Sequence, residues 1–225
     1  MIKTYCGNCL DILPILELDK AIIVTDPPFN VNYHYKTYKD NLNEEEYFSM
    51  LSQVVNRFPS VVIHYPEALH KISMMIHKTP RKVVSWVYNS NTAKQHRDIA
   101  FYDVMPDFRK VIQPYKNQND KRIKERMASG IMGGRLYDWW NVNQIKNVSK
   151  EKTIHPCQMP LEVMKNIIGI LPDDYLIIDP FMGSGTTGLA CRCLGRDFIG
   201  IEIDEDYCRI ANNRINNVVV QENLF

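Results

Sequence analysis

Residues 175–188 carry the sequence YLIIDPFMGSGTTG, and this stretch decides the fold. Its apolar beginning predicts a buried strand that ends at Asp179, and the glycine-rich part leads into a predicted helix through about Leu194. Glycines spaced G-x-G-x-x-G between a strand and a helix let the backbone approach a ligand closely. A second apolar run, 198–201, ends in Glu202, whose carboxylate can accept hydrogen bonds from ribose hydroxyls. The unit therefore predicts a site for a nucleoside cofactor.

The N-terminal half of the chain predicts the remaining strands of the same sheet. Only 37 residues follow Gly188, so the cofactor unit must be completed by earlier segments. Apolar strands and amphipathic helices alternate there, with Asn43 as the expected cap of the first long helix. The predicted strands are 21–24, 61–63 and 82–88, and the predicted helices are 44–58 and 67–78. This alternation is typical of an α/β fold with a mostly parallel sheet.

The strand at 21–24 leads into a rigid loop, residues 25–30, with the sequence Thr-Asp-Pro-Pro-Phe-Asn. The two prolines restrict the backbone and donate no N–H, so the loop offers mainly acceptors: the Asp26 carboxylate and the carbonyls around Pro27. Phe29 stands beside them. Such a set suits binding an amino group while stacking on the ring that carries it; a Pro-Pro turn with an aspartate cap is the alternative. Because ligands lie across the carboxyl ends of neighbouring parallel strands, we expect Asp26 and the glycine loop at one edge.

Two further segments interrupt the regular pattern. Residues 31–42 are rich in tyrosine and are interpreted either as a lid over a bound ring or as an ordinary surface loop. Residues 89–149 break the strand–helix alternation, although 99–104 still predict a strand. Between positions 109 and 135 this segment holds eight Lys or Arg residues against two acids. It is either a solvated charged helix or a basic surface that faces phosphates.

Composition limits the other possibilities. The chain has 225 residues, 45% hydrophobic and 24% charged, with a net charge of +1, which suits one globular domain. It shows neither a membrane-length apolar run nor a signal peptide, so we expect a cytoplasmic protein. The six cysteines are expected to be free thiols. Cys6 and Cys9 have C-x-x-C spacing, but no second pair completes a zinc site, so no metal is expected.

Three motifs in this order resemble the amino-DNA methyltransferases of the permuted β class. They are residues 26–29 (DPPF), 155–160 (HPCQMP) and 179–188 (DPFMGSGTTG). The resemblance covers roughly residues 1–90 and 150–217. It implies a Rossmann-like class I fold that depends on S-adenosylmethionine, with circularly permuted motif order. Residues 1–225 would form a single methyltransferase domain, and 89–149 its small target-recognition insert.

The resemblance also implies roles for particular residues. The catalytic set would be Asp26, Pro27, Pro28 and Phe29. The cofactor-binding set would be Asn8, Cys9, Asp26, His155, Pro156, Gln158, Asp179, Phe181, Gly183, Ser184, Gly185, Thr186, Thr187 and Glu202. DNA contacts would come from Lys116, Lys121, Arg122, Arg126 and Arg135. Two positions depart from the family pattern, since Met159 stands where Lys is usual and Asn8 where Asp is usual.

The implied reaction is methyl transfer to N6 of an adenine that has flipped out of double-stranded DNA, with Phe29 stacked on the base. Transfer to N4 of cytosine is the alternative within the family. From other classes, an NAD-dependent oxidoreductase and a DNA-binding or cofactor-sensing module without turnover remain as rivals. The resemblance also allows a homodimer and a cognate restriction nuclease as partners.

Overall fold

The structure, a computed structural model, describes residues 1–33, 37–146, 149, 152–155 and 157–217. Strands and helices alternate along most of it. The strands are β1 Ile2–Cys6, β2 Ala21–Thr25, β3 Ser60–His64, β4 Lys82–Val87, β5 His96–Tyr102, β6 Ile112–Pro114, β7 Gly133–Arg135, β8 Trp139–Asn141, β9 Leu176–Asp179 and β10 Phe198–Glu202. The helices are α1 Cys9–Ile12, α2 Glu44–Val55, α3 Pro66–Ile76, α4 Lys121–Ala128, α5 Leu161–Gly169, α6 Thr186–Cys193 and α7 Glu205–Asn216.

Eight strands form one sheet in the order β1-β10-β9-β2-β3-β5-β4-β8. Every neighbouring pair is parallel except the two that involve β5, which runs antiparallel to both β3 and β4. Strands β6 and β7 pair separately as a small antiparallel ribbon. The predicted α/β fold with a mostly parallel sheet is therefore confirmed, and β9 and β10 carry the predicted cofactor unit beside β2.

Strands in the middle of this sheet are buried on both faces, which explains their continuous apolar sequences. All five residues of β2 are buried, and its side chains alternate between the two sides. Ile22 and Val24 pack with residues of α5, α6 and α7, whereas Ile23 packs in a cluster with Leu13 and Val54. Helices therefore cover both faces of the sheet.

Capping side chains fix where two predicted helices begin. The Asn43 side-chain oxygen accepts a hydrogen bond from the backbone N–H of Glu46 at 2.9 Å, as expected for the start of α2. Asp204 caps α7 in the same way through the N–H groups of Asp206 and Tyr207. Because Asp204 lies two residues after the end of β10, this cap brings the start of α7 to the carboxyl end of the sheet.

The segment 89–149 is only partly outside the central sheet. Strand β5 lies between β3 and β4, and β8 forms the sheet edge beside β4. Residues 103–138, with α4 and the β6–β7 ribbon, are the part between these two strands. The role of this segment in target recognition stays a prediction.

The prediction that all six cysteines are free is wrong for two of them. Cys6 and Cys208 form a disulfide that joins the end of β1 to α7, with Cα atoms 6.0 Å apart. Their separation of 202 residues hides this proximity from any spacing rule. Cys9, Cys191 and Cys193 are free thiols, as predicted. No helix among the described residues is long and apolar enough to span a membrane.

Candidate active site

The carboxyl ends of β1, β10, β9, β2 and β3 border one cavity of about 350 Å³. Both predicted loops reach it, since Asp26, Phe29, Gly183 and Glu202 all line its wall. A small adjoining cavity is lined by Asp179, Ser184, Thr186 and Thr187, together with Asp26. The expectation that the acceptor loop and the glycine loop share one edge is therefore confirmed.

Asp26 is the acid of the acceptor loop, and its side chain is only 14% exposed. Burial raises its pKa to about 6, against an opposing effect of the Arg97 guanidinium. Arg97 Nη1 lies 3.4 Å from Asp26 Oδ1. The carboxylate is thus ionised above about pH 6 and lies beside the cavity as an acceptor.

A chain of three hydrogen bonds fixes the backbone of the acceptor loop. The backbone N–H of Tyr65 donates to His64 Nδ1 at 2.8 Å, so the neutral His64 ring carries its proton on Nε2. Burial lowers the pKa of His64 to about 3, which keeps this ring neutral. His64 Nε2 then donates to the Tyr47 hydroxyl at 2.8 Å, and Tyr47 donates to the Pro28 carbonyl at 2.6 Å. Among the described residues, none donates to the Pro27 carbonyl, which remains an available acceptor beside Asp26.

Phe29 already contacts protein groups. The His64 ring stacks on it with centroids 4.1 Å apart and an angle of 20° between the planes. Tyr65 meets Phe29 edge-on at 4.9 Å, and the Arg97 guanidinium carbon lies 4.5 Å from the Phe29 centroid. One face of Phe29 is therefore covered by His64. Stacking of a base on the other face stays a prediction.

The glycine loop is held by the two acids that the sequence singled out. Asp179 accepts hydrogen bonds from the Thr187 hydroxyl and from the Phe181 N–H, and burial raises its pKa to about 7. Glu202 accepts from the N–H of Gly183 at 2.8 Å and from that of Asp204 at 2.9 Å. Burial raises the pKa of Glu202 as well. Each carboxylate thus shapes the loop while facing a cavity.

Backbone conformation explains two of the glycines. Gly183 has a φ of +50°, and a Cβ there would lie 2.9 Å from Nε2 of His155. Gly185 has a φ of +78° and is the N-cap residue of α6, where a Cβ would lie 2.8 Å from that of Ala211. A side chain at either position would strain the backbone and collide with a neighbour.

The remaining predicted cofactor residues take different positions. Asn8 and Cys9 line the large cavity at the end of β1; the Asn8 side chain caps α1 by accepting from the Leu10 N–H at 3.0 Å. Burial raises the pKa of Cys9 to about 12, so it stays a neutral thiol. His155 lines both cavities, and burial lowers its pKa to about 4. Gln158 and Gly185 line neither cavity; Gln158 accepts from the Thr153 N–H at 2.8 Å. Pro156 lies outside the described residues.

The tyrosine-rich segment after the acceptor loop borders the same cavity. The Asp40 carboxylate accepts three backbone N–H groups, from Asn30, Val31 and Tyr33, at 2.7–3.0 Å. The Thr37 hydroxyl donates to Asp204 at 2.5 Å, which links this segment to the end of β10. Its described part therefore lies along the cavity wall, while residues 34–36 fall outside the described residues. A lid role stays a prediction.

The five predicted DNA-contacting side chains are all exposed. Lys116 Nζ lies 3.8 Å from the Trp139 ring centroid. Arg126 Nε donates to the Tyr115 hydroxyl at 2.9 Å. Arg122 Nε lies 3.6 Å from Oδ1 of Asp120, the residue that caps α4. The exposed set is Lys116, Lys121, Arg122, Arg126 and Arg135.

Sequence reasoning missed three residues of this site: Tyr47, His64 and Arg97. Tyr47 lies in the predicted helix 44–58 and is buried in the core, but its hydroxyl also reaches the acceptor loop. His64 ends β3, so its place at the carboxyl edge was a signal that could have found it. Arg97 gave no signal, because its position depends on the antiparallel direction of β5.

The chain is similar to known methyltransferases. The type II methyltransferase M.HpaI of Haemophilus parainfluenzae is 24% identical over 233 residues, covering 96% of this chain and 74% of that protein. The DNA adenine methyltransferase YhdJ of Escherichia coli (strain K12) is 24% identical, covering 87% of this chain and 76% of that protein. The crystal structure of an M1.HpyAVI–SAM complex superposes with a TM-score of 0.66 at 24% identity, covering 96% of this chain and all of that one, which shows a shared fold.

The predicted Rossmann-like methyltransferase fold is thereby confirmed, and the predicted resemblance holds at the level of the family. The family model described as DNA methylase, N6_N4_Mtase, matches residues 21–213, from the first residue of β2 into α7. That match includes the acceptor loop, the glycine loop and every strand of the sheet except β1. On this evidence the chain belongs to the N6_N4_Mtase family of DNA methylases.

Proposed function

We propose that this protein is a site-specific DNA methyltransferase that transfers a methyl group from S-adenosylmethionine to N6 of a flipped-out adenine. The observation that carries this proposal is the shared cavity of Asp26 and the glycine loop. An acceptor pair for an amino group and a loop for a nucleoside cofactor thus lie within reach of one another. The chain order, with residues 26–29 before 179–188, supports assignment to the permuted β class.

The charge of the cavity favours a cationic cofactor over NAD. Asp26, Glu202 and Asp204 line the large cavity, and Arg97, which lies beside Asp26, is the one Lys or Arg among the described residues that line it. This excess of negative charge favours the positively charged sulfonium of S-adenosylmethionine and disfavours the negatively charged pyrophosphate of NAD. S-adenosylmethionine is the ligand named for the M1.HpyAVI complex. When bound, it supplies an electrophilic methyl group.

Residues around the cavity would hold this cofactor from two sides. Glu202 has acceptor capacity for the ribose hydroxyls, and Asn8 lies where it can meet the adenine ring. Phe181, Gly183 and His155 line the side nearest the methionine part, with Asp179, Ser184, Thr186 and Thr187 around the small cavity. Gln158 and Gly185 line neither cavity, so they would support cofactor binding indirectly, by holding the shape of the loops that carry the contacting residues.

The acceptor loop would activate a poor nucleophile. The lone pair of an exocyclic base nitrogen is delocalised into the ring, and two acceptors on its N–H bonds favour a pyramidal nitrogen. The Asp26 carboxylate and the Pro27 carbonyl supply this pair. As the nitrogen–methyl bond forms and the sulfur–methyl bond breaks, Asp26 stabilises the positive charge on nitrogen. Its raised pKa, about 6, also makes it a better proton acceptor than an ordinary aspartate.

Adenine is proposed because Asp is the first residue of the acceptor tetrad. In the family that the sequence resembles, Asp-Pro-Pro-Tyr/Phe usually accompanies adenine and Ser-Pro-Pro-Tyr cytosine. The relative YhdJ is named a DNA adenine methyltransferase. Cytosine N4 is the second candidate, since the family name covers both amino groups.

Double-stranded DNA would contact the exposed cations of residues 103–138. Aromatic rings lie among them, as in the contact of Lys116 with Trp139. M.HpaI is named a type II methyltransferase, which supports a cognate restriction nuclease as a partner. A homodimer is proposed on the resemblance alone.

The test is incubation with S-adenosylmethionine and mixed unmethylated DNA, followed by digestion to nucleosides and mass spectrometry. We expect N6-methyladenine, and none with Asp26→Asn protein. N4-methylcytosine would overturn the choice of base and keep the reaction. Absence of any methylated nucleoside, despite measured cofactor binding, would overturn the proposed function.

A further inference from the structure

Arg97 reaches the active site because β5 runs against its neighbours. In the register of β3 and β5, His64 pairs with Asp98, so Arg97 lies one residue beyond the carboxyl end of β3. A parallel strand would present its last residues at this edge, whereas β5 presents its first. The result is a cation in a wall whose other charged residues, among those that the structure describes, are the acids Asp26, Glu202 and Asp204.

The Arg97 side chain touches the two groups that a target base would need. Its Nη1 lies 3.4 Å from Asp26 Oδ1, and its guanidinium carbon lies 4.5 Å from the Phe29 centroid. The Trp86 ring centroid lies 5.3 Å from that carbon, and the Arg97 side chain is only 14% exposed. Its Nε is buried with no hydrogen-bond partner among the described residues. A planar cation with N–H donors thus contacts both the acceptor and the stacking ring.

Two physical requirements conflict at this position. A buried carboxylate without a cation beside it takes up a proton and loses the negative charge that makes it a strong acceptor for the amino N–H. A guanidinium left beside Asp26 during transfer, however, would repel the positive charge that develops on the base nitrogen. Both are met if Arg97 pairs with Asp26 before the base arrives and leaves when the amino group takes its place.

We propose that Arg97 is a positioning residue that keeps Asp26 ionised and occupies the target-base site until the base displaces it. This inference rests on the proposed methyl transfer. In the DNA-free protein the Arg97 guanidinium pairs with Asp26. During methyl transfer it does not contact the reacting atoms.

Other ionisable groups also face Asp26. They are Asp179 at the end of β9, Tyr47 from α2 and Tyr88 after β4. Burial raises the pKa of both phenols, so they are neutral between pH 5 and 9, and that of Asp179 to about 7. None of them is a cation. Among the described residues, removing Arg97 therefore leaves Asp26 with no cation beside it.

The first readout needs no turnover. Protein labelled with ¹³C at the aspartate carboxyls is titrated by NMR, and the Asp26 signal is assigned by its loss in Asp26→Asn. We expect Arg97→Met to raise the pKa of Asp26 by about 1 unit or more, and Arg97→Lys to keep it near the native value. Lys94→Met is the matched control, because Lys94 lies 3.7 Å from the Tyr65 ring centroid without pairing with Asp26. An unchanged pKa in Arg97→Met would overturn the inference.

The second readout is kcat/KM for DNA between pH 5.5 and 9. At pH 6 we expect Arg97→Met to lose about fivefold or more, since a one-unit shift leaves roughly a tenth of Asp26 ionised. At pH 8.5 it should match or exceed the native rate, because the base no longer displaces a guanidinium. A loss of tenfold or more at both pH values would show that Arg97 is needed during transfer and would overturn the inference. Inactive native protein would count against the proposed function alone, since the NMR titration still reads Asp26.

Discussion

The hydroxyl of Tyr47 lies 2.6 Å from the carbonyl oxygen of Pro28, although 19 residues separate them. This hydrogen bond occupies one of the two proline carbonyls of the acceptor loop. Among the described residues none donates to the Pro27 carbonyl, so in the proposed mechanism this oxygen is the second acceptor for the amino group, next to Asp26. The same hydroxyl accepts from His64, so α2 and β3 together set the geometry of the loop.

Replacing Tyr47 by Phe should lower both stability and turnover. The change leaves the Pro28 carbonyl and the His64 N–H without partners in a buried place, which costs about 1–3 kcal/mol. We expect urea unfolding to show that loss and kcat to fall about tenfold, with an unchanged dissociation constant for S-adenosylmethionine. Tyr102→Phe is the control, since its buried hydroxyl bonds to Ser73 at 2.8 Å far from the loop. If both variants lose stability and keep full kcat, Tyr47 does not position the acceptors.

Asp26→Asn should abolish methyl transfer while leaving cofactor binding largely intact. Asparagine keeps the size of the side chain but loses the negative charge that stabilises the developing cation on nitrogen. We expect a loss of about 100-fold or more in single-turnover rate. Calorimetry with S-adenosylmethionine should give a dissociation constant within a few-fold of native. Substantial turnover by this variant would remove Asp26 from the catalytic role.

The pH dependence of the native enzyme should carry the signature of Asp26. Burial raises the pKa of this carboxyl to about 6, and the acceptor form is the ionised one. Activity should therefore fall as the pH drops through about 6, whereas an unperturbed aspartate would sustain it to about pH 4. Measuring kcat/KM for DNA against pH tests this directly. An acid limb near pH 4 would show that the carboxyl is far better solvated than the structure indicates.

Much of the site could be read from sequence because turn chemistry marks where strands end. Strands β2 and β9 both stop at an aspartate-proline pair, so Asp26 and Asp179 were placed at the correct edge. The G-x-G-x-x-G spacing likewise predicted the loop after β9, in which Gly183 and Gly185 have positive φ angles. These features depend on short, local patterns.

Arg97 and the disulfide could not be read in this way. The residues of β5 predict a strand but say nothing of its direction, and the direction alone brings Arg97 to Asp26. Cys6 and Cys208 meet only because α7 packs beside β1. Both depend on how distant elements assemble, which local patterns do not encode.

Glu202→Gln should weaken binding of S-adenosylmethionine. The carboxylate accepts the Gly183 and Asp204 N–H groups and is the expected partner of the ribose, and hydrogen bonds to a charged group are worth about 1.5–3 kcal/mol. We expect calorimetry to show about a tenfold or greater rise in the dissociation constant. Glu205→Gln, at the exposed start of α7, should bind as the native protein does. Equal affinities in all three proteins would exclude Glu202 from the cofactor site.

Replacing Lys121, Arg122 and Arg126 by Ala should weaken DNA binding and flatten its salt dependence. All three are exposed on or at the start of α4, and each phosphate contact contributes about 0.9 to the slope of log K against log salt. We expect the slope to fall by up to about 3, measured by fluorescence anisotropy with a DNA duplex between 50 and 300 mM salt.

The control for this prediction removes the same charge from elsewhere on the protein. Lys71, Lys78 and Lys165 lie outside residues 89–149, and Lys71 and Lys78 pair with Glu44 and Asp103. Their triple alanine variant changes net charge equally, so any effect of overall charge on DNA affinity appears in both proteins. A smaller slope in the α4 variant alone would locate the phosphate contacts on that helix. Equal slopes in the native protein and both variants would mean that DNA lies against another surface, and the candidates would then be the cations nearer the cavity mouth.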